Sequence, residues 1–379
     1  MTADGQVHRL QSICMWSSQL FEPSFAALDV VPSPGSFLDM TRRAAGIGLD
    51  AIGLGPVPTP SMIVERTSGM KLRAYQDADT PGPDLLILPA PIKRPYIWDL
   101  MPSVSVVRHA LRRGFRVWLA DWTETGHNED LGLAHYADSL PLAACDAIEA
   151  ATGESRVLVA GHSLGGTLAA IFASLHPERV RGLALVEAPL AFGPHRGPIG
   201  DMLVDIEGRT AASMGVGGPV SGTLLSAASA TAAPDDFVRQ PLLDLFEVAT
   251  DPTRAAIHMR VLRWTLDEFP MPPRLLGEIV DQLYRGDRFQ RDTLEVGPRR
   301  TGASRLRAPT AAVITPAAAI VPPASATRAL DALPGEKRRV FEMKSERGAM
   351  LQHVAALVGP TAHARVWPPL FEWLKALPE

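Results

Sequence analysis

Two cysteines in 379 residues, Cys14 and Cys145, are too few and too far apart to make a disulfide framework; both read as reduced thiols of a cytoplasmic protein. Basic charge is not in excess: 37 Lys and Arg against 41 Asp and Glu leave a formal net charge of -4, without the electrostatic footprint of a nucleic-acid binder. No apolar run reaches the ~20 residues of a transmembrane helix. The opening residues Met1-Thr2-Ala3-Asp4-Gly5 carry an acidic group and lack the apolar core and cleavage site of a signal peptide. Internal repeats are also missing. These absences predict a cytoplasmic chain with no transmembrane segment and no nucleic-acid partner, acting on a small or apolar ligand. What is present is an ordinary globular composition, 46% hydrophobic, in a chain long enough for one large α/β domain with an inserted subdomain.

The first sixty residues are apolar but irregular, broken by Pro32-Ser33-Pro34-Gly35 and Pro56-Val57-Pro58-Thr59-Pro60. They are expected to form a lead-in packed on the main domain. Runs at 63–66 and 71–75 around Ser68-Gly69 predict a hairpin at a sheet edge. Short apolar runs follow at 85–88, 117–120, 157–160, 182–186, 311–314 and 339–341, with helical patterns at 106–113, 136–152, 166–175 and 365–377. That alternation predicts an α/β fold with a doubly wound, mostly parallel sheet. It lapses between Leu190 and Arg307, where helical stretches at 241–250 and 273–284 suggest an inserted, mainly helical cap over the carboxyl edge of the sheet. The expected division is a lead-in at 1–60, core at 61–189, cap at 190–306 and the rest of the core at 307–379.

Gly161-His162-Ser163-Leu164-Gly165 lies between the β-rich run 156–160 and an Ala-rich helical run that starts at Gly166. A nucleophilic serine on a strand-to-helix turn needs flanking positions without side chains, because the tight turn crowds them against the strand and the helix. With 31 glycines the five-residue pattern arises easily by chance; the strand before it and the helix after it give it weight. Ser163 is the candidate nucleophile, and the backbone N–H of Leu164 is a candidate oxyanion donor. The second donor is expected in the loop after 85–88. Pro91 has no N–H there, which leaves Ala90 or Ile92, with Ile92 preferred.

The elbow continues as Gly166-Thr167-Leu168, and further motifs are Pro95-Tyr96-Ile97-Trp98-Asp99-Leu100, Asp130-Leu131-Gly132-Leu133, Arg263-Trp264-Thr265-Leu266-Asp267, Ile320-Val321-Pro322 and the segment 353–374. Together they resemble the polyhydroxyalkanoate synthases, class III-like, and their relatives in the α/β-hydrolase superfamily. The resemblance covers most of the chain after about Pro58 and implies the α/β-hydrolase fold. Synthases of that family use cysteine as nucleophile where this chain has Ser163. A serine ester is passed on less readily than a thioester, and a hydroxyl needs a general base to attack at all. Hydrolysis or a single acyl transfer is therefore expected rather than polymerisation.

Aligned on Val358-Gly359-Pro360 and Val366-Trp367-Pro368-Pro369-Leu370, the family's catalytic histidine falls on His353, with Gln352 where the family has glycine; His363 is the alternative base. The family's Asp-His pair before Ile-Val-Pro is Ala318-Ala319 here, so its acid is missing. Val186-Glu187-Ala188 resembles the arrangement of haloalkane dehalogenases, which carry the acid after the strand that follows the nucleophile helix. Glu187 is the expected replacement. Pairing of Glu187 with a cap arginine such as Arg196, or a site that has lost activity, are the competing readings.

Trp264 and Asp267 either line the substrate pocket or anchor the cap. His127-Asn128-Glu129-Asp130 are consecutive, without tetrahedral ligand spacing, and read as a solvated turn. Asp121 reads as structural. The expectation is a serine-dependent acyl hydrolase or acyltransferase acting on an ester or thioester of an aliphatic or hydroxyacyl chain, with no cofactor and no metal. Linkage of the acyl group to coenzyme A or a carrier protein, and a homodimer, are left open. The alternatives are a polymerising acyltransferase like the synthases and a catalytically silent acyl- or granule-binding protein.

Overall fold

In strand β3 (Asp84–Leu88) every residue is buried, and successive side chains enter different cores: Leu85 and Ile87 one, Leu86 and Leu88 the other. Side chains of a strand alternate between faces, so this strand has both faces covered. The same division holds for Val157 and Val159 against Leu158 and Ala160, and for Leu183 and Leu185 against Ala184 and Val186. The computed structural model describes residues 34–76, 80–124, 131–205, 219–267 and 269–378; Gly35–Glu379 form one compact unit. Cys14 and the loop His127-Asn128-Glu129-Asp130 lie outside the described residues. Cys145 is a free, buried thiol, pushed up to about 12 by burial.

The main sheet has eight strands in the order β1-β2-β6-β3-β7-β8-β11-β12. β1 (Met62–Thr67) and β2 (Met70–Ala74) form the expected antiparallel edge hairpin, turning at Gly69 with φ 93°. β2 pairs antiparallel with β6 (Arg116–Trp122), and from β6 onward all neighbours are parallel. The remaining strands of this sheet are β7 (Val157–His162), β8 (Val180–Val186), β11 (Thr310–Ile314) and β12 (Arg338–Glu342). Helix α1 (Pro34–Ala51) precedes β1, and the stretch after it is tied to the core by Val57 N–H to the Leu100 carbonyl, 2.8 Å, and by Thr59 on Asp99.

After β3, a short ribbon of β4 (Asp99–Met101) and β5 (Val104–Ser105) leads into α2 (Val106–Arg112), capped by Ser105. The helix expected from 136 divides into a π turn, His135–Ser139, and α3 (Leu140–Thr152). Pro141 in its first turn has no N–H to give the preceding turn, which widens instead. Helix α4 (Leu164–Leu175) is buried from Gly165 to Ser174, as its apolar composition demands.

Between β8 and β11 lie α5 (Gly197–Asp205), α6 (Gly222–Ala232), α7 (Gln240–Val248), α8 (Pro252–Thr265) and α9 (Pro273–Glu278). This is the expected helical insertion. It also contains a hairpin, β9 (Leu294–Val296) and β10 (Arg299–Thr301), whose three-residue strands are too short to show alternation in sequence. The hairpin is fastened to the end of α4 by Thr301 on Ser174, 2.8 Å, and by Arg299 on His176, 3.1 Å. The chain closes with α10 (Pro323–Thr327), α11 (Ala355–Val358), α12 (Pro360–Arg365) and α13 (Trp367–Lys375). Among the described residues no helix is long and apolar enough to cross a membrane.

Candidate active site

Ser163 stands between β7 and α4 with φ 54° and ψ -131°, on the left-handed side of the backbone map where a β-carbon is crowded. Such a conformation costs of order 1–3 kcal/mol and persists only where its surroundings hold it. Here Ser163 N–H donates to the Val186 carbonyl, 2.9 Å, while its own carbonyl accepts from Gly166, 2.9 Å, and Thr167, 3.1 Å. The flanking glycines are required by close approach. A β-carbon at Gly161 would lie 2.6 Å from the Gly165 oxygen, and one at Gly165 would lie 2.3 Å from the Leu88 oxygen and 2.7 Å from the Ala90 nitrogen. The turn thus presents Ser163 at the amino end of α4, where backbone N–H groups lack intrahelical partners and the helix dipole favours negative charge.

Glu187 follows β8, is 2% exposed and has φ 44°. Its N–H bonds the Val313 carbonyl at 2.9 Å, which fixes it between the ends of β8 and β11. One carboxylate oxygen accepts from His353 Nδ1 at 3.1 Å, and the other accepts from the Thr315 hydroxyl. The carboxylate therefore selects the His353 tautomer with its proton on Nδ1 and leaves the Nε2 lone pair free. His162, inside the elbow, donates Nε2–H to the His353 carbonyl at 2.7 Å, and the two rings pack with centroids 4.6 Å apart. Arg196 instead pairs with Asp201 at 2.8 Å, so the competing partner for Glu187 is engaged elsewhere. His363 is likewise committed: Nε2 bonds the Leu357 carbonyl at 2.8 Å and its ring stacks on His109.

Residues 95–208 match the alpha/beta hydrolase fold family. The chain is 26% identical over 318 residues to the poly(3-hydroxyalkanoate) polymerase subunit PhaC of Haloferax mediterranei, covering 83% of this chain and 63% of that one. It is 23% identical over 293 residues to the subunit of the same name from Allochromatium vinosum, covering 76% and 80% respectively. It thus spans less than two thirds of the Haloferax protein. This is an α/β-hydrolase-fold chain related to the PhaC subunits. Among solved structures, an esterase from Thermogutta terrifontis superposes with a TM-score of 0.52 at 17% identity, covering 83% of this chain and 97% of that one. A monoacylglycerol lipase from Paleococcus ferrophilus gives 0.51 at 15% identity, with 81% and 98% coverage. Both likenesses concern the fold.

In this α/β-hydrolase fold a cavity of about 550 Å³ adjoins the Glu187–His353 pair, bounded by Thr315, Ala318, Ala319 and Asp236 among others. Ala318 and Ala319, which stand where the synthases it resembles have Asp-His, thus border open space, with Glu187 reaching the imidazole from the neighbouring strand. Ser163 lies outside that wall. Asp236, in the insertion, is raised above the usual carboxylate range by burial and by Asp235, with His353 opposing the shift. Trp264 and Asp267 both contact Arg94: Trp264 Nε1–H donates to the Arg94 carbonyl at 2.8 Å, and Asp267 pairs with Arg263 at 3.3 Å and Arg94 at 3.7 Å. Asp267 also borders a second cavity, of about 540 Å³, beside Tyr75 and Tyr96. Asp121 lies within β6 and pairs with Arg73 at 2.7 Å, a structural role. The Ile92 side chain packs against the core.

His162, Glu187 and His353 offer donor atoms within 4.8 Å of one another, a His-His-carboxylate set of the kind zinc accepts. His353 Nδ1 and His162 Nε2 are nevertheless already committed to a carboxylate and a carbonyl. The arrangement reads as a hydrogen-bonded relay. His162 and Thr315 are the residues that sequence reasoning missed. His162 adjoins the nucleophile in sequence, whereas Thr315 has no motif. Gln352, where the family has glycine, braces its own loop by donating to the Glu346 carbonyl, 2.6 Å, and accepting from Glu346 N–H, 2.9 Å.

Burial is also expected to make the fold less stable in acid. It pushes His162 down to about 3 and His363 down to about 4, from an ordinary 6.5. Unfolded chains therefore bind more protons than folded ones between pH 6.5 and about 4. The stability from keeping these imidazoles neutral is full above 6.5 and is lost as pH falls through that window, by about a few kcal/mol in total. The urea midpoint is expected to drop between pH 7 and pH 4.5; an unchanged midpoint would refute this account.

Proposed function

We propose that the chain is an acyl hydrolase or single-step acyltransferase that works through a Ser163 ester. The fold and the PhaC relatives support an enzyme of the esterase or acyltransferase kind. The observation that carries the reading is the Glu187 carboxylate on His353 Nδ1 at 3.1 Å, in a chain that lacks the family's aspartate. In the proposed mechanism, His353 Nε2 takes the proton of the Ser163 hydroxyl as its oxygen attacks the acyl carbonyl. The resulting oxyanion is held by the Leu164 N–H and by a second donor from the loop after β3, Ile92 or Ala90, whose nitrogen borders Gly165. His353 then protonates the leaving alcohol or thiol, and the acyl group remains on Ser163. In the second half the same imidazole deprotonates water or another acceptor, which releases the acyl group and restores the serine.

The substrate would be an ester or thioester of an aliphatic or hydroxyacyl chain. The diphosphate and 3′-phosphate of a coenzyme A group are disfavoured in the 550 Å³ cavity, where Glu187, Asp236, Asp244, Glu247 and Glu346 outnumber Arg347. Polymer synthesis is the second reading, favoured by the PhaC relatives. Mass spectrometry of the products formed from a 3-hydroxyacyl thioester in water separates the two. Free hydroxy acid released at each turnover supports hydrolysis, and oligoesters of growing length would overturn it in favour of polymerisation.

A further inference from the structure

The loop that delivers His353 is held from two sides. At its ends the core holds it: the Glu346 carboxylate accepts from Thr361 N–H at 2.9 Å and from the Thr361 hydroxyl at 3.1 Å, and Gln352 closes on the Glu346 backbone. Its middle turns through two left-handed residues, Gly348 at φ 86° and Met350 at φ 62°. Both of their N–H groups donate to one carboxylate, Asp244 on α7 of the insertion, at 2.6 Å and 2.9 Å. A second insertion helix, α8, supports that carboxylate through His258 Nδ1 at 3.2 Å, and its Arg254 donates to the Arg347 carbonyl at 3.3 Å. Asp244 is 7% exposed and His258 3%. A buried carboxylate is retained only where hydrogen bonds satisfy it, and here two of the three donors it uses are backbone groups of the histidine loop.

We propose that Asp244 is a positioning residue for His353: the insertion carries the carboxylate that shapes the histidine loop, so docking of the insertion on the sheet is a condition for an aligned base. Met350 is three residues from His353, and its left-handed conformation has no glycine to make it easy. Without the carboxylate the loop loses the anion that gathers its two N–H groups. The imidazole then loses its aim, although its partner Glu187 is untouched. The inference rests on the reading of His353 as the base for Ser163.

The test compares wild type, Asp244→Asn and His258→Gln in hydrolysis of a short acyl p-nitrophenyl ester, alongside the downfield proton resonance of His353 Nδ1–H in its bond to Glu187. Misalignment of a catalytic group by about 1 Å costs up to about 100-fold. Asp244→Asn is therefore expected to lower kcat by about tenfold or more with KM within about twofold, and to broaden or abolish the resonance. His258→Gln, which keeps both loop bonds, is expected to show a smaller loss of the same kind, and it decides the matter if Asp244→Asn does not fold. An unchanged kcat and an unchanged resonance in the folded variants would overturn the proposal. Wild type without esterase activity would instead sink the underlying reading of the site.

Discussion

Changing Glu187 to glutamine is expected to lower kcat toward acyl esters by about 10⁴-fold with KM little altered. The size of the effect follows from which atoms face which. Thr315 donates its hydroxyl proton to one Glu187 oxygen, so in the variant the amide oxygen takes that place. The amide NH₂ then faces His353 Nδ1, where the carboxylate oxygen stands at 3.1 Å. Nδ1 must become the acceptor, the ring proton moves to Nε2, and the nitrogen meant to receive the serine proton is occupied. Glutamine is close to isosteric with glutamate, so the fold should survive. Thermal melting and kcat on one preparation check both points, and activity within tenfold of wild type would remove Glu187 from the mechanism.

Ser163→Ala should abolish turnover outright, a loss of about 10⁶-fold in kcat, as when the nucleophile of a comparable relay is removed. The hydroxyl is the only group this change deletes. The strained φ of 54° remains, held by Val186, Gly166 and Thr167 through backbone bonds that alanine also makes. Circular dichroism and melting temperature are therefore expected to match wild type while ester hydrolysis disappears. Substantial residual kcat would mean that another group attacks the substrate.

The parts of this fold that could be read from the sequence are those whose cause is local. The strands at 85–88 and 157–160 announce themselves because both faces are buried, and the elbow shows because Gly161 and Gly165 sit where a β-carbon has no room. His353 and Glu187 were legible through family resemblance and position after a strand; the structure brings them together across 166 residues of sequence. What escaped depends on distant partners. Thr315 bonds a carboxylate 128 residues away, His162 a carbonyl 191 residues away, and Asp244 a loop about a hundred residues on. No periodicity encodes such pairings. The division of the helix expected at 136–152 is a different case, since its cause, Pro141, is local and lies in the sequence itself.

The central claim is that Ser163 is the nucleophile activated by His353. Intact-mass measurement after treatment with a fluorophosphonate tests it most directly, because that reagent phosphonylates an activated serine hydroxyl far faster than an ordinary one. The account predicts a single phosphonyl adduct on wild type, none on Ser163→Ala, and markedly slower labelling of Glu187→Gln. An unlabelled wild type, or an adduct that persists in Ser163→Ala, would contradict it.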